Sequence, residues 1–293
     1  MIDQEELRAA LDAAMDQRGA WPGRSPWIRA AVAATPRHAF APDRLWRWTG
    51  RAYVPIDRGT AFEEWAGEVY GSPDTAAVTE IGGGVPSSSL SAQGIVVDML
   101  DSLLLEPGQR VLELGTGTGT AWNAALLARR AGSVVSVEVD PTLAAAAGER
   151  LKRCGADVDV RVADGATGWP EAAPYDRMIA TYAVDRIPWA WVEQTRPGGR
   201  IVMPWGRLGH VALTVADDGR SARGWVQGLA TFMLARGTDT SRPFERVRGA
   251  APREDERPFT GTWRPFATAG TCGSPCVSPC RTYRSPPART TTG

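Results

Sequence analysis

A chain of 293 residues with 43% hydrophobic residues is long enough to bury a full core, and its composition is that of an ordinary globular protein. Lys plus Arg and Asp plus Glu both total 33, so the formal net charge is zero and no bulk field is available to hold nucleic acid or an anionic membrane. The first residues mix acids and bases with Ala and Leu and show no secretion signal, and apolar runs such as Ile95 to Val97 fall far short of the roughly 20 residues needed to span a bilayer, so a cytoplasmic protein is expected.

Residues 1–87 begin with Leu7, Leu11 and Met15 at helical spacing and then become rich in Trp and Pro, with Trp21, Trp27, Trp46, Trp48 and Trp65. This reads as a helical, Trp-rich cover with few regular repeats. Ser87, Ser88, Ser89 and Ser91 read as a polar loop that ends in a helix cap or serves as a ligand contact.

From 88 to 236 helical stretches alternate with short β-branched strands, at Val111 to Leu114, Val134 to Val139, Val158 to Val162, Arg177 to Ala180, Arg200 to Met203 and Val211 to Val215. Such alternation predicts a doubly wound, Rossmann-like α/β domain of mostly parallel strands joined by crossover helices.

The most informative stretch is Val111-Leu-Glu-Leu-Gly-Thr-Gly-Thr-Gly119, an apolar strand running into a glycine-rich turn and a helix predicted from about Thr120 to Arg130. Glycines let the backbone approach a ligand closely, and the helix start offers unpaired N–H groups. Dinucleotide enzymes use G-x-G-x-x-G in the same context. Here the glycines are Gly115, Gly117 and Gly119, with Thr116 between the first two and Thr120 where the dinucleotide pattern has Gly. Glu113, two residues before the first glycine, is placed to face the loop and a cationic methionine-like group, which favours a sulfonium ligand over a pyrophosphate and leaves a nicotinamide-dependent dehydrogenase as the weaker reading.

Glu138 ends the next strand, where a carboxylate can accept from both ribose hydroxyls, and Asp164-Gly165 follows the third, where Asp can accept from an adenine amino group. Each acid alone could be a helix cap or a solvated loop charge. Three acids at the carboxyl ends of successive strands sit where open α/β sheets bind ligands.

The last zone, 237–293, loses periodicity, and from Gly270 it is mostly Gly, Ser, Pro, Thr, Cys and Arg. Its composition predicts disorder, and the abruptness of the change also fits an altered reading frame. Cys272, Cys276 and Cys280 lie there without a nearby fourth ligand, so no metal site is expected; Cys154 reads as a small buried hydrophobe.

Taken together these residues resemble the protein-L-isoaspartate O-methyltransferases. The match runs from Thr35-Pro-Arg-His-Ala-Phe-Ala-Pro42 through Ser89-Leu-Ser91, the glycine loop, Asp164-Gly165 and Ile187-Pro188 to Pro197-Gly-Gly-Arg-Ile-Val-Met-Pro204. The resemblance implies a seven-stranded sheet of the class I methyltransferase type, S-adenosyl-L-methionine as cofactor, and transfer of its methyl group to a peptide or protein carboxylate, ordinarily an isoaspartyl one, as a repair step. It implies that Ser91 contacts the substrate carboxylate, with Ser89 in the position of the family's threonine beside the cofactor. The chain departs from the family at Ala92-Gln93, where Pro is usual after that serine, at Val96, where His is frequent, and at Phe232-Met-Leu-Ala-Arg236, where a Pro-Leu-Thr-like segment is usual. All three departures lie on the substrate side. They keep open a dedicated enzyme that methylates an aspartate in a ribosomally made peptide, closing it to an aspartimide, and a protein that binds cofactor and peptide without turnover.

Overall fold

A computed structural model describes residues 3–116, 120–206, 209–229 and 231–235, all within the unit Met1–Ser241. Helix α1 (Gln4–Gln17) opens where Asp3 accepts a hydrogen bond from the Glu5 amide at 3.1 Å, and it buries Leu11 and Met15, two of the apolar residues at helical spacing. After α2 (Trp27–Ala34) and a 3-10 turn at Arg37–Ala39 come β1 (Arg44–Trp48), β2 (Tyr53–Asp57), α3 (Phe62–Tyr70), β3 (Ala77–Gly82) and β4 (Val85–Leu90).

These four strands form an antiparallel sheet in the order β2-β1-β3-β4, which the sequence reading of this region did not contain. Its strands are short, β2 carries Pro55, and β4 reads Val-Pro-Ser-Ser-Ser-Leu, residues of low strand propensity. Of the serines read as a loop, Ser87, Ser88 and Ser89 are a strand, with Ser89 paired to Val78 across an irregular register, and Ser91 lies just beyond it. Gly83 and Gly84, at φ +58° and +82°, make the turn that joins β3 to β4.

Helix α4 (Gln93–Leu103) leads into β5 (Arg110–Leu114), α5 (Trp122–Ala128), β6 (Ser133–Glu138), α6 (Pro141–Arg153), β7 (Asp159–Val162), β8 (Tyr175–Ala180), α7 (Trp189–Glu193), β9 (Thr195–Trp205), β10 (Gly209–Val215) and β11 (Ala222–Gly228). The strands build one seven-stranded sheet in the order β11-β10-β9-β8-β5-β6-β7. β7, β6, β5, β8 and β9 run parallel, while β10 and β11 add antiparallel at the β9 edge. The doubly wound, mostly parallel fold expected from the alternation is thus present, and all six strands read from the sequence are in it.

Alternate residues face opposite layers, as the pleat requires. Val111, Ile179, Val202 and Ala212 join a core with Trp65, Val97, Leu100 and Trp122. Leu112, Leu114, Met178, Ala180, Ile201, Met203 and Val211 pack on the other face with Tyr175 and Trp191. The order reverses direction at β5, where β6 lies on one side and β8 on the other, and open sheets of this kind hold ligands at the carboxyl ends of the strands beside such a switch. No helix among the described residues is long and apolar enough to cross a membrane.

Candidate active site

At the carboxyl ends of β5, β6, β7 and β8 lies a cavity of about 350 Å3, lined by residues that include Gly115, Glu138, Asp164, Gly165 and Tyr182. Glu138 is the last residue of its strand, and the others come from the turns that follow theirs. Gly115 adopts φ +78° directly after β5, a conformation that glycine takes at little cost, and its amide donates to Val137 O at 2.7 Å. Thr181 donates its hydroxyl to Gly115 O, so the loop is pinned from both neighbouring strands. Gly117 and Gly119 lie outside the described residues. The chain re-enters at Thr120, and α5 begins at Trp122, two residues later than predicted, because Ala121 takes the left-handed conformation at φ +66°.

Glu138 is 5% exposed at the end of β6, and its Oε1 accepts from the Asp140 amide at 3.2 Å. Asp140 caps α6 by accepting from the Thr142 and Leu143 amides. Asp164 caps its own turn, its Oδ1 accepting from the Ala166 amide at 2.9 Å, and it also lines the cavity. Trp191 Nε1 donates to Gly165 O at 2.8 Å and holds that turn from beneath.

Glu113, read from the sequence as facing the loop and its ligand, and Thr116, read as a cofactor contact within the loop, both turn inward. Both are fully buried, and neither is among the residues lining the cavity. Glu113 Oε1 accepts from Asn123 Nδ2 at 2.7 Å, its Oε2 accepts from the Ser136 hydroxyl, and Ser136 also reaches Thr116 Oγ1 at 3.0 Å. Burial pushes the Glu113 carboxyl up to about 7, against the two hydrogen bonds that favour its charged form. The carboxylate is a strut beneath the glycine loop, tying β5 to β6 and to α5.

Ser91 follows β4 and lines a second, small cavity with Val96, Trp122, Thr181 and Phe232. Consecutive residues divide the two cavities: Thr181 and Phe232 line the small one, Tyr182 and Met233 the large one. The segment 231–235 is held there by hydrogen bonds from the Ala183 amide to Met233 O at 2.8 Å and from the Ala235 amide to Ala183 O at 2.9 Å. Ser89 is 6% exposed in the body of β4, and Ser87, nearer the start of the strand, lines the large cavity in its place.

None of Trp21, Trp27, Trp46, Trp48 or Trp65 lines either cavity; Trp65 is wholly buried in the core, and the aromatic residues at the site are Tyr182, Trp191, Trp122 and Phe232. Sequence reading missed Asn123, Ser136, Tyr182, Trp191 and Arg37. Tyr182 carried one usable signal, since it follows the predicted strand Arg177 to Ala180 by two residues on the ligand side of the sheet. Cys272, Cys276 and Cys280 lie outside the described residues, and Cys154 is a half-buried free thiol packed against the core.

Three comparisons bear on this arrangement. The sequence profile of the family described as protein-L-isoaspartate(D-aspartate) O-methyltransferase matches residues 50–226. A protein-L-isoaspartate O-methyltransferase of Anaeromyxobacter dehalogenans is 50% identical over 120 residues, which span 40% of this chain and 56% of that relative. One of Methylorubrum extorquens is 39% identical over 218 residues, covering 73% of this chain and 82% of the relative. Among solved structures, a protein-L-isoaspartate O-methyltransferase superposes with a TM-score of 0.60 at 26% identity, over 80% of this chain and 66% of the other. A chain from Plasmodium falciparum in complex with S-adenosyl-L-homocysteine shares the fold at 13% identity, with a TM-score of 0.53 over 80% of this chain and 98% of that one.

Proposed function

Because the chain belongs to the protein-L-isoaspartate(D-aspartate) O-methyltransferase family, a family of S-adenosylmethionine-dependent protein carboxyl methyltransferases, we propose that it methylates the free carboxylate of L-isoaspartyl residues in peptides or proteins, the first step of their repair, in the cytoplasm. One observation carries this reading to the site: Glu138, Asp164-Gly165 and Gly115 line a single cavity at the carboxyl ends of adjacent parallel strands, with Ser91 in the wall of the next.

The cofactor of the family supplies a methyl group on a sulfonium. In this chain, Glu138 would hold the ribose hydroxyls, Asp164 the adenine amino group, and the Gly115 turn would take the methionine end, with Gly117 and Gly119 completing the loop. Glu113 and Thr116 would act from beneath, by fixing where that loop stands. Hydrogen bonds to an ionised acceptor contribute roughly 1.5–3 kcal/mol, so the two acids account for much of the affinity.

The acceptor is a carboxylate, already ionised at pH 7 because its ordinary pKa is near 4, so no general base is required. What remains is alignment, which lowers a barrier by up to roughly 7–11 kcal/mol, and exclusion of water from the attacking oxygen. Ser91 would orient the carboxylate, with Ser89 supporting it from β4. The apolar walls contributed by Val96, Met99, Ile179 and Phe232 would keep the carboxylate dry. In domain terms, residues 1–87 would form the substrate-side cover, 88–236 the cofactor domain and 237–293 an irregular extension.

Transfer of labelled methyl from S-adenosylmethionine to two matched peptides, one with isoaspartate and one with aspartate at the same position, tests this. Labelling of the isoaspartyl peptide alone is expected. A second reading has its own observation: two of the departures from the family, Val96 and Phe232, meet in the cavity that holds Ser91, so the acceptor pocket itself is altered. Labelling of an aspartyl peptide, lost when residues beyond 240 are removed, would move the assignment to a dedicated aspartate methyltransferase. Tight cofactor binding with no labelling of either peptide would point to a binding protein without turnover.

A further inference from the structure

Arg37 is a buried cation that the reaction as described leaves without a task. It is 2% exposed, and among the described residues no carboxylate forms an ion pair with it. Its Nε donates to Val69 O at 3.0 Å and its Nη1 to Ser91 O at 2.8 Å, while Nη2 has no hydrogen-bond partner. The guanidinium stacks over the Trp122 ring at 4.6 Å. Trp122 is tied back to the same N-terminal segment by its Nε1, which donates to Thr35 O at 2.9 Å.

A guanidinium with an unsatisfied donor is an expensive packing element, since a buried charge loses its hydration and regains it only through partners. Neutral side chains would fill the same space at lower cost. The position of the charge suggests what it does. Ser91 and Trp122 both line the small cavity, and Trp122 is the first residue of α5, the helix that follows the glycine loop. The Arg37 side chain therefore bridges the two segments that must be held in register: the one bearing Ser91 and the one leading out of the cofactor loop. It also sets a positive charge directly behind Ser91, in surroundings of low dielectric where an anion feels it strongly.

We propose that Arg37 is the positioning residue for the acceptor carboxylate, holding Ser91 through its carbonyl and biasing the adjacent cavity toward an anionic substrate. The proposal rests on the isoaspartyl methyltransferase reading and adds to it a selection by charge. Removing the charge should weaken recognition of a carboxylate and leave recognition of a neutral isostere unchanged. A merely structural arginine would affect both alike.

The test uses the full chain with S-adenosylmethionine and three enzymes: wild type, Arg37→Gln and Arg37→Lys. Each is assayed for methylation of an isoaspartyl peptide and for its inhibition by the matched isoasparaginyl peptide, whose carboxylate is replaced by an amide. S-adenosylhomocysteine affinity is measured alongside by calorimetry. The expected result for Arg37→Gln is a KM for the acid peptide raised about tenfold or more, with the amide peptide's inhibition constant and the cofactor affinity within about twofold of wild type. Arg37→Lys should restore the preference for acid over amide while keeping a lowered kcat, because one ammonium does not replace two directed bonds. If Arg37→Gln does not fold, Arg37→Lys carries the comparison, and loss of its acid preference overturns the proposal. Equal losses toward both peptides, or an unchanged KM in Arg37→Gln, overturn it as well. A wild-type enzyme that methylates no isoaspartyl peptide instead removes the functional reading on which the proposal stands.

Discussion

The hydroxyl oxygen of Tyr182 lies so close to Gly165 that a Cβ added to that glycine would collide with it, and the same ring would stand 2.7 Å from a Cβ on Gly115. Gly115, read as a close approach of backbone to ligand, and Gly165 are thus both required by an aromatic side chain of the protein. Tyr182 spans the floor between the loops after β5 and β7, with its ring edge-on to Trp191 at 6.5 Å.

Gly165→Ala should therefore destabilise the protein by about 1–3 kcal/mol through overpacking. Tyr182→Ala, introduced into the same chain, should recover at least half of that loss, because it removes the atoms the new methyl meets. Thermal unfolding of the two single variants and the double variant gives the coupling directly. Strictly additive losses would mean that the glycine serves the bound cofactor alone.

Glu138, proposed above to hold the ribose, stands at the end of β6 in the cavity wall. Glu138→Gln preserves shape and removes the charge, so it should weaken S-adenosylhomocysteine binding by roughly 10- to 100-fold, the range of one or two charge-assisted bonds. Calorimetric titration of both enzymes measures this. A change under twofold would assign Glu138 to the support of the Asp140 turn.

The buried Glu113 carboxyl makes stability depend on pH in a fixed direction. Its pKa is raised from 4.5 in the unfolded chain to about 7 in the folded one, so between these values the folded state holds the proton and the unfolded state does not. Stability contributed by the protonated carboxyl is then full below about pH 4.5 and falls as pH rises toward 7, by about 3 kcal/mol across the window. Urea unfolding at a series of pH values should show that decline, and Glu113→Gln, which keeps an amide between Asn123 and Ser136, should flatten it. An equal slope in both proteins would place the titration on another group.

Much of the fold was legible because the parallel sheet is buried on both faces and its strands are short β-branched runs, as at Val134 to Val137 and Arg200 to Met203. The positions of Glu138 and Asp164 were legible for a related reason: each ends or follows an apolar strand, so the sheet topology alone places them at the carboxyl edge, in the wall of the large cavity. The antiparallel sheet of β1 to β4 was not, since a strand such as Val-Pro-Ser-Ser-Ser-Leu is stabilised by pairing to Ala77 and Val78 and by burial, which leave no mark in local composition. The surroundings of Glu113 were not legible, for a geometric reason. It is one residue from the end of its strand, and the pleat turns it into the protein beneath the loop, where Asn123 and Ser136 meet it; only their positions in space could have shown this. Arg37 stands within the motif Thr35 to Pro42, but its partners Val69, Ser91 and Trp122 lie 32, 54 and 85 residues away in sequence.

Trp191 offers a way to separate stability from affinity at the Asp164 end of the cavity. Its indole fills the layer beneath β8 and donates to Gly165 O at 2.8 Å, so it both packs the core and fixes the turn that carries Asp164. Trp191→Phe keeps an aromatic ring there but leaves the buried Gly165 carbonyl without its donor. The loss of one hydrogen bond with an orphaned partner costs about 1–3 kcal/mol, and packing adds to it because Phe is smaller. If the bond also holds Asp164 in its binding position, cofactor affinity should fall with stability, whereas Glu138→Gln should lower affinity with little change in the unfolding midpoint. Unfolding midpoints and S-adenosylhomocysteine titrations on the two variants distinguish the cases. A Trp191→Phe protein that is less stable but binds with wild-type affinity would show that the Asp164 turn is held in place by its own cap, the Ala166 amide bonded to Asp164 Oδ1.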